Sequence, residues 1–454
     1  MSTQIGNTPG SKSDLMTRLS NWSLRYVPDS MVFVLLLTVV VFFMAWGLTP
    51  ATPVKIIDFW VQGFWVLLTF AMQMCVLMIT GYVVADSKQV KKFLRNLAQL
   101  PKTPRQAIIF YTAVVGIIWW LHWGVGMMAG IMLGRELVVA QKGKKLHYVG
   151  MVACAYTATV VCNGPSMAAP LLMATPGHFM EKVIGVISLN NTVFDIRLLL
   201  MNIFLLITVP LVMAALMPKN AVEASDEIVA SFSEREEVEK DKSMLTPAER
   251  WDRSPVFTYI IGLAGLFWVL KFFYYKGIMN LDLNTLNFAF LVVGILLHKS
   301  PTAFIASVKR AAMTVFGVII QFPFYAGIFG IINFSGLAKV LAGWFMAIST
   351  AETYPWVVFT YSAILNFFVP SGGSKFVIEA PYIMPAAQEL GANINYVINA
   401  YTNGDLLTNL LQPFWALPIL GAFRISFRDI LPYGLIICLY GYLVISATYL
   451  LFMH

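Results

Sequence analysis

Apolar runs of about 17–25 residues, the length a helix needs to cross the hydrocarbon core, recur along most of the chain and are separated by short polar segments. The first predicted span is Met31–Leu48 and the second runs from about Trp60 to Val84. Between Asp86 and Gln106, Lys88, Lys91, Lys92, Arg95, Lys102 and Arg105 stand against a single acid, the pattern of a cytoplasmic amphipathic arm. Ala107–Ala140 is too long for one crossing, and Lys142, Lys144 and Lys145 follow it. Two spans turning near Trp123–Gly124 return those lysines to the cytoplasmic side.

Two later apolar segments are interrupted. Val149–Val183 breaks at Asn163-Gly164-Pro165-Ser166 and again at Thr175-Pro176-Gly177-His178, and Trp356–Ala387 breaks at Pro370-Ser371-Gly372-Gly373-Ser374. Spans are predicted at Leu198–Leu216, Val256–Tyr274, Leu283–Leu297, Ala311–Ile332 and Leu337–Ile348. A broken helix covers Tyr396–Phe423, and Leu431–Met453 is the last span. The hydrophilic stretch Pro218–Arg253 carries ten acids against six bases and reads as a solvated extracytoplasmic linker. Arg424 and Arg428 put the loop before the last span inside and the C-terminus outside.

The two halves share an order of span, amphipathic connector, two spans, interrupted hairpin, broken helix and span. Gly81 and Gly294 are 213 residues apart, as are Ser87 and Ser300; Asn191 and Asn403 are 212 apart, and Pro165 and Pro370 are 205 apart. An odd number of crossings between equivalent spans makes the repeat inverted. The expected fold is therefore an all-α polytopic membrane protein, with about 11 transmembrane helices plus two re-entrant hairpins, 149–183 and 356–387. Its parts are a cytoplasmic N-terminal segment 1–30, a first repeat 31–216, the linker 217–253, and a segment 254–454 that carries the second repeat.

Composition agrees with this reading. The 454-residue chain is 58% hydrophobic and 12% charged, with a mean hydropathy of +0.73. The net charge of +8 is gathered in the short loops between spans, so it marks topology and not a nucleic-acid surface. Residues 1–30 lack the apolar core and cleavage site of a signal peptide and are expected to be retained. Cys75, Cys154, Cys162 and Cys438 lie in apolar context without metal-binding spacing and read as space-filling thiols.

Irregular backbone at membrane depth is tolerated where it lines a cavity or is buried in protein, so the breaks point at a site. At the first break Asn163, Gly164 and Ser166, and at the second Ser371, Gly372, Gly373, Ser374 and Lys375, are candidate substrate-binding residues. Two helix N-termini aimed at one cavity present free N–H groups and positive dipole ends, which suits a carboxylate. Asn190, Asn191, Thr402, Asn403 and Asp405 supply the hard oxygen ligands of a coupling ion, with Na+ a possible metal at those positions. Asp405 is the only acid in Tyr396–Phe423, and an intramembrane carboxylate serves a cation or a proton by default. Lys375 either binds a substrate carboxylate or pairs with Glu379, four residues on. Arg197 reads as snorkelling to the interface, His178 and Glu181 as the cytoplasmic end of the first hairpin, and His122 as an interfacial belt residue. Phosphate-binding loops, zinc-protease helices and paired CxxC motifs are missing, so an enzyme is not expected and no cofactor is called for.

Three stretches resemble the bacterial short-chain fatty acid (acetoacetate/butyrate) transporters of the ion-transporter superfamily: Ala169-Pro170-Leu171-Leu172-Met173-Ala174-Thr175-Pro176-Gly177-His178, Val369-Pro370-Ser371-Gly372-Gly373, and Gln412-Pro413-Phe414-Trp415-Ala416-Leu417-Pro418. The resemblance implies an elevator-type, often dimeric carrier of small monocarboxylates in the bacterial inner membrane. Coupling would be to H+ or Na+, and hairpin tips and broken helices would form the site. The chain departs from the family's pattern at both tips, notably where Ser374-Lys375-Phe376 stands in place of Gln-Trp, and the identity of the substrate turns on those positions. The rival expectations are the same fold carrying a dicarboxylate or other organic anion, with Lys375 as an extra partner, and an anion channel.

Overall fold

The computed structural model describes residues 30–218, 220–232, 245–313, 315–366 and 371–453. The N-terminal segment up to residue 29, Pro370 of the second break and linker residues 233–244 lie outside the described residues. Every regular element among those described is helical.

The chain begins with α1 (Ser30–Leu48), α2 (Pro53–Gly63), α3 (Leu68–Ala85) and the amphipathic arm α4 (Lys88–Ala98). The long apolar run resolves into α5 (Pro104–Leu121) and α6 (Trp123–Ala140), which turn at His122 and pack on each other. The first interrupted segment comprises α7 (Tyr148–Thr157), a 3-10 turn (Ala158–Val161), α8 (Ala168–Met173) and α9 (Glu181–Ile184), and α10 (Ile196–Leu216) follows. Two short helices, α11 (Asp226–Phe232) and α12 (Pro247–Asp252), lie in the linker. Then come α13 (Val256–Lys276), α14 (Leu283–His298), α15 (Pro301–Ala312), α16 (Phe316–Phe334) and α17 (Leu337–Ala347). The second interrupted segment is α18 (Tyr354–Asn366) and α19 (Gly372–Leu390). The broken helix is α20 (Ile394–Asn409) with α21 (Leu417–Phe423), and α22 (Phe427–Phe452) closes the chain.

Among the described residues, seven helices are long and apolar enough to cross a membrane, and α20 with α21 makes an eighth candidate bent by 69°. Further predicted spans fall on the shorter apolar helices Val34–Leu48, Leu283–His298 and Leu337–Ala347, and the first arm of the first interrupted segment on Tyr148–Val161. Leu36, Phe43, Ile203, Ile207, Phe267 and Leu443 leave their side chains exposed on these helices. In water such a surface would be costly, whereas in lipid it is the surface the solvent demands, so the chain is a multi-pass membrane protein.

The buried residues form two cores. One gathers α5, α6, α7, α10 and α22, and the other gathers α1, α3, α16 and α19. Helix α20 lies between them, with Tyr396, Ala400 and Leu407 turned to the first core and Val397, Ile398 and Tyr401 to the second. The 213-residue offset shows as shared local roles. Ser87 caps α4 through Val90 N–H and Ser300 caps α15 through Ala303 N–H. The equivalent helices α3 and α14 pack together, with Gln73 Nε2 donating to Asn284 Oδ1 (2.7 Å) and Asn287 Nδ2 donating to the Gln73 carbonyl (2.9 Å).

Two expectations are corrected. His122 is not at an interface: it is 1% exposed, its ring sits 4.1 Å from that of Phe290, and its Nδ1 accepts the Val125 N–H at the start of α6. The β-region backbone at His122 ends α5, and the ring is drawn inward because it caps the next helix. The described start of the linker docks on the basic loop after α6. Lys142 pairs with Asp226 at 2.6 Å, Glu223 accepts the N–H groups of Gly143 and Lys145, and Tyr148 N–H donates to the Val222 carbonyl (2.9 Å). Loop and linker thus share one side of the protein, so a cytoplasmic loop and an extracytoplasmic linker cannot both hold. Opposite charge brings them together.

An ion network around the buried Asp86 joins the end of α3 to α15. Asp86 accepts from Ser307 (2.7 Å) and Arg310 (2.5 Å) on α15 and pairs with Lys91 of α4 at 3.0 Å. Burial works to raise the Asp86 carboxyl, but the hydrogen bonds from Arg310 and Ser307 and the Lys91 charge outweigh it and hold the group below the usual carboxylate range. The resulting stabilisation is therefore complete above the ordinary carboxylate value and fades as pH falls through the lowered one. Replacing Asp86 with Asn leaves Arg310 without its anion and should cost about 1 kcal/mol, since Arg310 is half exposed and solvent screens the pair. Thermal unfolding in detergent should show this loss at pH 7 and a smaller one in acid; equal losses at both would remove the charge from the account.

Candidate functional site

The site is organised by α20, whose residues from Tyr396 to Asn409 are all buried although seven of them are polar: Asn399, Tyr401, Thr402, Asn403, Asp405, Thr408 and Asn409. Helix α18 lies along it at close range. A Cβ on Gly404 would fall 2.3 Å from the Phe359 carbonyl and 2.8 Å from Ala363 N, so glycine is what permits this approach. At that range polar groups reach across. Ser362 Oγ donates to the Tyr401 carbonyl (2.8 Å). Asn366 Nδ2 donates to the Asp405 carbonyl (2.8 Å), Thr408 Oγ1 (3.1 Å) and Asn409 Oδ1 (2.9 Å). Those bonds tie the end of α18 to the last turn of α20.

The first break meets the same helix further back. Asn163 Nδ2 donates to Asn403 Oδ1 (3.0 Å) and contacts the Asn399 carbonyl (3.4 Å), while Asn202 Nδ2 of α10 donates to the Asn163 carbonyl (3.1 Å). Asn403 Nδ2 donates to the Tyr449 hydroxyl (2.8 Å) and Asn399 Nδ2 to the Thr192 carbonyl (3.1 Å). Oxygens of Asn163, Asn202, Asn399 and Thr192 remain without a partner in this cluster. Ser166 accepts the Trp123 N–H (3.0 Å), and Gly164 packs on the Trp120 carbonyl.

The second break brings in charge. Lys375 is 0% exposed; its Nζ donates to the Ser362 carbonyl (2.9 Å) and hydroxyl (2.7 Å), stands 3.6 Å from Asp405 Oδ1, and lies 4.6 Å from the Tyr401 ring centre. Asp405, 3% exposed, rests against the start of α19 so closely that a Cβ on Gly372 would come within 2.5 Å of its Oδ2. The first intrahelical bond of α19 runs from Lys375 N to the Ser371 carbonyl (2.9 Å), so the N–H groups of Gly372, Gly373 and Ser374 have no intrahelical partner. Tyr401 donates to the Gly372 carbonyl (2.9 Å) and fixes this corner to α20.

A cleft of about 740 Å³, counted out to its open mouth, borders this corner. Ser371, Gly372, Gly373, Asp405 and Asn409 share its lining with Met74, Met78, Phe322, Trp123 and Trp415. Such a surface suits a small molecule with one charged end and an apolar remainder.

Of the residues singled out in the sequence, Asn163, Thr402, Asn403 and Asp405 meet around α20, and Ser371, Gly372 and Gly373 line the cleft. Thr402 Oγ1 bonds back to the Ile398 carbonyl (2.9 Å), and Ser374 is buried with its hydroxyl unpartnered. Asn190 and Asn191 are not brought there: both are exposed on a 3-10 turn, and the adjacent Thr192 is the buried residue that reaches Asn399. Lys375 does not pair with Glu379; it is taken by Asp405 and Ser362. Arg197 reaches the Tyr396 hydroxyl and stacks 5.5 Å from its ring centre. Asn202, Ser362 and Asn366 were missed. A lone Asn within an apolar span was the available signal for Asn202, because burying an amide in hydrocarbon is costly without partners.

This arrangement, buried polar groups on a broken helix joined by two interrupted segments beside an amphipathic cleft, defines a membrane transport protein. The sequence model described as "Short chain fatty acid transporter" matches residues 13–452. Two relatives, each named "Putative short-chain fatty acid transporter", come from Escherichia coli (strain K12) and Haemophilus influenzae. The first is 36% identical over 93% of this chain and 95% of its own. The second is 37% identical over 90% of this chain and 92% of its own. The chain belongs to the short-chain fatty acid transporter family. The crystal structure of the Alcanivorax borkumensis YdaH transporter, at 14% identity, is similar in fold, with a TM-score of 0.50 over 93% of this chain and 98% of that one.

Gly404→Ala forces α18 from α20 and should lower stability by about 1–3 kcal/mol, the usual cost of overpacking. A Tm in detergent unchanged from wild type would show that the two helices have slack.

Proposed function

We propose that the protein is an ion-coupled secondary transporter of the bacterial inner membrane that carries short-chain monocarboxylates such as acetoacetate or butyrate. The observation that carries the reading is the buried Asp405–Lys375 pair at the start of α19, at the edge of the cleft. The N–H groups of Gly372 to Ser374, which have no partner within α19, and the positive end of its dipole receive the substrate carboxylate. Met74, Phe322 and Trp415 meet its short alkyl chain. Asp405 is itself an anion at the same corner, so the substrate binds there once the Asp405 charge is balanced. That requirement is what couples the substrate to a cation, H+ or Na+. Lys375 is already engaged by Asp405 and Ser362, which favours a monocarboxylate over a dicarboxylate needing a second cationic partner. The position of α20 between two cores suits a movement of one core against the other that exposes the site alternately.

The test is uptake into proteoliposomes across acids from acetate to hexanoate, with a proton or a Na+ gradient imposed. Saturable accumulation of at least one acid in that range is expected, and uptake of none would sink the proposal. Asp405→Asn should abolish gradient-driven accumulation, and because it leaves the buried Lys375 ammonium without its carboxylate it should also lower the Tm in detergent, so transport is compared per folded protein. Undiminished accumulation in that variant would make Asp405 a structural residue.

A further inference from the structure

Glu379 follows Lys375 by one turn of α19 and is 0% exposed. Neither oxygen of its carboxylate has a hydrogen-bond donor in the surrounding protein. Residues four apart on a helix share a face, yet the Lys375 ammonium is turned to Ser362 and Asp405. The titratable groups in electrostatic reach of Glu379 are Lys375 on its own helix, Asp405 and Tyr401 on α20, Tyr361 on α18 and Tyr382 on α19. Tyr361 and Tyr382 bond to each other (2.8 Å), and Tyr354 of α18 donates to the Ile383 carbonyl (2.8 Å). The other helices packed on α19 bring Tyr325 from α16, an exposed Lys339 from α17, and Glu181 with the exposed Lys182 from α9. The buried centre therefore holds two carboxylates and one ammonium. With all three ionised it carries one uncompensated negative charge, and the uncompensated carboxylate has no donor to replace its lost hydration.

We infer that Glu379 is the proton-binding group of the transport cycle, holding a proton while Lys375 pairs with Asp405 and releasing it when Lys375 turns to Glu379. The inference rests on the proposed coupled transport at the Asp405 corner. In the loaded state a Glu379 oxygen bears the proton, Asp405 is neutralised by Lys375, and the N–H groups at the start of α19 are free for the substrate carboxylate. On release the Glu379 O–H bond breaks and the proton passes to water at the open side. The Lys375 ammonium becomes the counter-ion of the Glu379 carboxylate. Asp405, no longer neutralised by Lys375, then repels the substrate carboxylate from the α19 N-terminus that its own carboxylate borders. Proton and carboxylate thus bind together and leave together, one for one.

Glu379→Gln is neutral at every pH, like the protonated acid. In proteoliposomes with labelled butyrate as the probe, this variant should lose accumulation driven by an inward proton gradient, and in detergent it should still bind butyrate but without taking up a proton. Accumulation equal to wild type overturns the inference and leaves the carboxylate reading standing. Failure of the wild-type protein to exchange any acid from acetate to hexanoate overturns both. A second measurement needs no variant: wild-type protein in weakly buffered detergent near neutral pH should take up about one proton for each butyrate bound. No proton uptake on butyrate binding overturns the inference.

Discussion

The structure depends on burying one polar helix. Residues that prefer water occupy α20 from Asn399 to Asn409, yet the helix sits between two apolar cores. Each amide, hydroxyl and carboxylate placed there loses its hydration and needs a partner from the protein. The neighbouring elements meet that need. Asn366 serves the far end of α20 and Asn163 the near end, so both interrupted segments are tied to the helix by an asparagine at or beside the break. Glycine at 404 lets α18 come near enough for those bonds to form.

The same burial leaves the centre unfinished in a way that suits transport. Oxygens of Asn163, Asn202, Asn399 and Thr192 lack donors, and Glu379 lacks one for either oxygen. Each such group costs stability unless a ligand, an ion or water meets it. A carrier needs them, since a site satisfied by its own protein would have nothing to offer a ligand or an ion. Asp405 shows the tension most directly: it lines the cleft and rests against the helix start that would hold a substrate anion.

Membership of the short-chain fatty acid transporter family agrees with this chemistry, because such substrates pair one carboxylate with a short apolar chain. The cleft offers both surfaces side by side: backbone N–H groups near Gly372 and Gly373, and the side chains of Met74, Phe322 and Trp415.

Hydropathy and loop charge by themselves determined that the chain crosses a membrane many times, because apolar length and basic loops are local properties written residue by residue. The glycine, proline and asparagine clusters at 163–166 and 371–374 marked where helices break, since backbone propensity is also local. Ser87 and Ser300, noted in the sequence for their spacing, each cap a helix. What lay beyond the sequence was which polar groups meet. The spacing of Lys375 and Glu379 allowed a pair, but the approach of α18 and α20 offered the lysine nearer oxygens on Ser362 and Asp405. Asn191, chosen by its offset from Asn403, ended up exposed, while Asn202 and Asn366 reached the centre from distant helices. Helix breaks follow from local sequence; the partners of a buried charge follow from packing, and only the tertiary structure could decide those.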